Sequence, residues 1–82
     1  MAHIVKAEAW DNFNPSIYAQ RVKINDVFQS LYQIKYNYFK NSREINNPIQ
    51  AVEYIVAYDK DEAIKTWGKW KDLIIKIEKI NP

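Results

Sequence analysis

Two stretches of this chain interleave cations with aromatic rings. Residues 20–43 carry Arg21, Lys23, Lys35, Lys40 and Arg43 against the single acid Asp26, a net of +4, with Tyr32, Tyr36, Tyr38 and Phe39 among them. The run Trp67-Gly68-Lys69-Trp70-Lys71 repeats the combination. Cations track phosphates and flat rings stack on unpaired bases, so this pattern predicts a protein that binds RNA or single-stranded nucleic acid. Arg21, Lys35, Lys40, Arg43, Lys69 and Lys71 would supply the charge. Tyr36, Trp67 and Trp70 would supply the rings. A net charge of +2 and a pI near 8.8 are too mild for a duplex binder, which needs a denser basic stripe.

The competing reading is structural. A small domain needs most of its aromatic residues for its core, and lysines are mostly solvated surface. On this reading Tyr32 and Phe39 are core, while Tyr36, at the border of a helical arc, and Trp70, beyond a helix stop, remain exposed. Composition also tempers the basic signal. Asn, Lys, Ile and Tyr number 8, 10, 12 and 6, and all four have A/T-rich codons, a usage like that of small accessory proteins from A/T-rich bacteria, their phages or mobile elements. The excess of Lys over Arg then follows from codons as readily as from function.

Catalysis finds few groups to work with. There is one His, His3, and no Cys, and Ser16, Ser30, Ser42 and Thr66 lack a second imidazole, so a Ser-His-Asp set is not expected. Asp59, Asp61, Glu62 and Asp72 are close in sequence, but helix capping and the helix dipole account for the first three, and the spacing matches no calcium loop. A single Gly cannot build a phosphate-cradling loop. No enzyme activity, cofactor or metal is expected.

A protein partner is the alternative. The segment Leu73 to Ile80 is apolar on much of both faces, and as a sheet edge it would add to another sheet or pair with its own copy in a homodimer. Lys76 and Lys79 would equally serve to discourage such pairing. An inhibitor, antitoxin or adaptor needs nothing more than such an edge or the Trp67/Trp70 patch.

The elements that must position these residues follow from periodicity and punctuation. His3 to Trp10 alternates as a half-buried strand, Asp11 to Pro15 reads as a turn, and Ile17, Tyr18, Val22 and Ile24 favour a second strand over 16–24 paired with the first. From Asp26 to 41 a polar arc of Asp26, Gln29, Ser30, Gln33, Asn37 and Lys40 predicts a helix capped by Asn25 or Asp26. The same stretch alternates well enough to be a strand, and its length decides for helix. Ala51 to Tyr58 reads as a strand, Asp59 with Glu62 as a capping box for a helix over 60–67, Gly68 as its stop, and 72–80 as the last strand.

The fold class expected is therefore α+β: a small, mainly antiparallel sheet of four strands with two helices on one face. An all-α bundle of three to four helices is the alternative, because Asn47-Pro48-x-Gln50 is also a capping box and Ala63, Trp67, Trp70, Ile74 and Ile77 keep a 4-3-4-3 spacing. A chain of 82 residues has room for one core, hence one domain over 1–82. The lack of cysteine suits a reducing compartment, no leader pattern opens the chain, and the longest uncharged apolar run, Tyr54 to Tyr58, is far short of the roughly 20 residues a bilayer requires. A cytoplasmic protein without a membrane partner is expected.

Overall fold

A computed structural model of the chain describes residues 2–6, 13–38 and 49–82. Its elements are β1 (His3–Val5), α1 (Pro15–Asn25), β2 (Ser30–Tyr38), β3 (Ile49–Ala57), α2 (Lys60–Trp67), a 3₁₀ turn at Lys71–Leu73 and β4 (Ile74–Ile80). The strands form one four-stranded antiparallel sheet in the order β1-β3-β2-β4. The fold is thus α+β, with β3, α2 and β4 where the sequence places them and no continuous helix over 60–80 or 48–58. Residues 7–10 of the first expected strand and 39–41 of the expected central helix lie outside the described residues.

Two elements are exchanged relative to expectation. Residues 16–24 are helical, because Asn14 caps them: its side-chain oxygen accepts from the backbone N–H of Ser16 at 3.0 Å and Ile17 at 3.3 Å, and Pro15 occupies the first turn, where a missing N–H costs nothing. The expected helix from Asp26 is instead a turn followed by a strand. Asp26 accepts from the Phe28 N–H through its side chain and from the Gln29 N–H through its carbonyl, both at 3.0 Å, an Asx-type turn that consumes four residues. What remains, Ser30 to Tyr38, has strand length and is rich in Tyr, Leu and Ile. Lys23 ties the corner together, donating to the Val27 carbonyl and the Ser30 hydroxyl at 3.0 Å each.

Topology then decides where the helices lie. β1 and β2 are parallel with β3 between them, and β3 and β4 are parallel with β2 between them. Both crossovers step over one strand in the same lateral direction, but the second departs from a strand running the opposite way. Two crossovers of one hand must then pass on opposite faces of the sheet. The core divides accordingly. Ala19 and Val22 of α1 pack with Val5, Leu31 and Val56, while Ala63 and Trp67 of α2 pack with Tyr32, Ile34, Tyr36, Ile55 and Ala57. The expected placement of both helices on one face is therefore corrected.

Because β2 is covered on both faces, Leu31 and Ile34 are both wholly buried although they point to opposite sides. Each such side chain contributes about 1.5–3 kcal/mol by leaving water. α2 begins as the capping box predicts, with Asp59 accepting from the Glu62 N–H at 2.8 Å, while the Glu62 carboxylate reaches back to the Tyr58 N–H at 2.9 Å. It ends at Gly68, whose φ of 74° is the left-handed conformation that glycine adopts most cheaply.

Candidate functional site

The residues proposed from sequence for nucleic-acid contact are scattered. Arg21 is exposed on α1, Lys35 is half-buried on β2, and Lys71 is exposed in the 3₁₀ turn. Lys40 and Arg43 lie outside the described residues. Tyr36 and Trp67, at 5% and 3% exposure, are core, so neither ring can receive a base. Tyr36 is the correction: on a strand facing α2 its ring points inward, whereas on a helix it would have sat at the border of the apolar arc. Trp70 remains, 68% exposed in the extended linker between α2 and the 3₁₀ turn.

Lys69 is committed internally. Tyr36 and Trp67 meet edge to face with centroids 5.0 Å apart, and the Lys69 ammonium lies 4.8 Å from the Tyr36 ring centroid and 5.8 Å from that of Trp67, distances at which a cation is drawn to the ring face. The Tyr36 hydroxyl donates to Glu53 Oε1 at 2.8 Å and accepts from Lys69 at 3.2 Å, and Lys69 is also ion-paired with Glu53. β2, β3 and the end of α2 thus converge on one Lys-Glu-Tyr-Trp cluster. The Trp67-Gly-Lys-Trp-Lys run owes half of its aromatic-basic character to this packing.

Burial raises the Tyr36 phenol above its ordinary 10.0, as does its hydrogen bond to Glu53, against the opposing contact with Lys69. Burial also raises Tyr32, with the charge of Asp59 adding to it. For Lys69, burial acts to lower the ammonium, but the hydrogen bonds to Glu53 and Tyr36 and the Glu53 charge outweigh it, so its pKa rises above 10.5. All three groups hold their protons more tightly folded than unfolded. Their contribution to stability is therefore complete below about pH 10 and is lost as pH rises through the folded values. Thermal melts between about pH 9 and 12 should show stability falling above about pH 10, and Tyr36→Phe should flatten that fall. Parallel profiles for the two proteins would exclude Tyr36 as a source.

Sequence reasoning missed a different surface. On α1, Ala19 and Val22 face the sheet while Ile17, Arg21 and Ile24 face outward; residues seven apart on a helix return to within about 20° of each other. Ile17 and Ile24 are 50% and 83% exposed, and Val27 and Phe28 in the following turn are exposed at 66% and 76%. The Asn14-Pro15 cap was the signal that would have turned this segment into a helix and brought these residues to one side.

Among the described residues no helix is long and apolar enough to cross a membrane, and no group of three or more His, Asp or Glu could hold a metal ion. Comparison with known families, with curated proteins and with solved structures yields no match to this chain.

Proposed function

We propose that this chain is a non-enzymatic cytoplasmic binding protein that docks onto another protein through the outward stripe of α1, as small inhibitors, antitoxins and adaptors do. The observation that carries this reading is the exposure of Ile17 and Ile24 on the side of α1 that bears Arg21, with Val27 and Phe28 exposed in the turn that follows. Apolar side chains exposed together rather than singly mark contact surfaces, and Phe and Arg are enriched at interfaces. The helix carries Arg21 and Lys23 and no acid, and Lys23 is already bonded to Val27 and Ser30. The surface that fits it is apolar, with a carboxylate placed for Arg21. The Lys69 cluster supports the non-enzymatic side of this reading, since an ammonium and a phenol that both hold their protons above neutral pH make poor bases.

A photo-crosslinker placed at Phe28 would mark the partner in cells, and the purified partner would then be titrated with Ile24→Ser and Phe28→Ser. Each substitution should weaken binding about tenfold or more while leaving the melting temperature unchanged, because both side chains stand in water. Unchanged affinity in both variants would overturn the α1 surface.

A second reading rests on Trp70, exposed beside Lys71: contact with single-stranded RNA, one ring stacking on a base. Trp70→Ala should then weaken oligonucleotide binding by about 1–3 kcal/mol without loss of folding. Affinity should also fall steeply between about 50 and 200 mM salt, to which apolar docking through α1 barely responds. An oligonucleotide that leaves tryptophan emission unquenched at low salt removes this reading.

A further inference from the structure

Among the described residues β4 is an edge strand, hydrogen-bonded to β2 on one side, and the sheet order ends with it. Its sequence, Ile74-Ile-Lys-Ile-Glu-Lys-Ile80, is self-complementary about its centre. If two copies pair antiparallel with a two-fold axis at Ile77, Lys76 of each faces Glu78 of the other and Ile77 faces Ile77. Shifting the register by one residue opposes Lys76 to Lys79 or sets Glu78 against Ile75. Shifting by two opposes lysine to lysine or glutamate to glutamate. Among the registers within two residues of the centre, only the central one gains two opposite-charge cross-strand pairs, which stabilise a ladder where like pairs destabilise it.

Within one copy the edge is also electrostatically unfinished. Lys35 of β2 lies directly opposite Lys76 on the same face, a like-charge pair relieved among the described residues by the exposed Lys76–Glu78 contact at 2.7 Å along the strand. A second Glu78 arriving opposite Lys76 places an acid on the far side of that pair. Ile75, 45% exposed at the bulge where the register shifts, sits at the outer end of the pairing rather than at its centre.

We infer that the partner of β4 is a second copy of this chain, joined edge to edge at Ile77 into an eight-stranded sheet. The two-fold axis runs along the sheet normal, so both α1 helices lie on one side and both stripes remain open to other proteins. This proposal is independent of the α1 docking surface.

Sedimentation of the full chain over a wide concentration range tests it. A reversible dimer is expected, with Lys76→Glu or Glu78→Lys each weakening association about tenfold or more, since each reversal turns two attractive pairs into two repulsive ones. The double reversal, Lys76→Glu with Glu78→Lys, restores the complementarity and should return the dissociation constant to near that of the parent. Both side chains are exposed, and Lys76→Glu also removes the Lys35 repulsion, so unfolding does not mimic the loss. A chain that stays monomeric at millimolar concentration overturns the proposal. So does a dimer insensitive to these reversals, and one broken by Phe28→Ser would belong to the α1 stripe instead.

Discussion

Trp67→Ala is expected to remove about 3–5 kcal/mol of stability, a large part of the roughly 4–12 kcal/mol that a chain of this size possesses. Trp67 is 3% exposed at the end of α2, packed on Tyr36 and against Ile34, Ile55 and Ala57 across the sheet. Alanine leaves a cavity that α2 is too short to collapse into without losing its cap contacts. Trp70→Ala, three residues on, removes a ring that is 68% in water and should change stability by no more than about 0.5 kcal/mol. The indole N–H of Trp67 is buried without a hydrogen-bond partner, so Trp67→Phe, which deletes that unmet donor along with some ring volume, should cost clearly less than alanine. Urea titrations of the three variants measure this ordering. Equal losses for Trp67→Ala and Trp70→Ala would mean that Trp70 is also a packing residue and would end its candidacy as an exposed contact.

The contrast between these two tryptophans illustrates what composition can and cannot convey. The run 67–71 reads as two rings and two cations, but ring burial depends on where α2 stops and on which sheet face lies beneath it. The stop was legible from Gly68 and the start from Asp59 and Glu62, because capping chemistry is local. The face was not, because it depends on the pairing of strands far apart in sequence. Tyr36 failed for the same reason: its spacing from Tyr32 suits a helix or a strand, and coverage of β2 by helices on both faces removes the clean alternation that would have distinguished them. The Asx turn at Asp26 supplied a physical boundary that the apolar arc concealed.

α1 was misread for a more instructive reason. Its inward residues are Ala19 and Val22 and its outward ones include Ile17 and Ile24, so it has apolar side chains on both sides and almost no amphipathic contrast. A helix that exposes apolar residues mimics a buried strand in a periodicity analysis. The property that hides the element from periodicity is the one on which the proposed docking surface rests. Sequence punctuation is the better guide here than periodicity, since Asn-Pro at 14–15 marks a helix start independently of the hydrophobic pattern.

The two-sided sheet itself yields the second large effect. Leu31 and Ile34 lie three residues apart on β2, both fully buried, with Leu31 under α1 and Ile34 under α2. Alanine at either position should cost about 2–5 kcal/mol by lost transfer energy and cavity formation. The magnitudes are alike, but the location of the damage should differ. Stability is distributed in local units that open with their own free energies, so Leu31→Ala should speed amide exchange mainly in α1, whose Ala19 and Val22 rest on that side chain together with Val5 and Val56. Ile34→Ala should instead speed exchange in α2, through its contacts with Trp67 and Ala63. Hydrogen exchange followed by mass spectrometry resolves the two helices under conditions where both variants remain folded. If both substitutions loosened the same helix, the helices could not lie on opposite faces, and with that the outward exposure of Ile17, Ile24 and Phe28 would lose its structural basis. Divergent exchange patterns would tie that exposed stripe to the strand order, because only a β4 placed beside β2 carries α2 to the face that α1 leaves open.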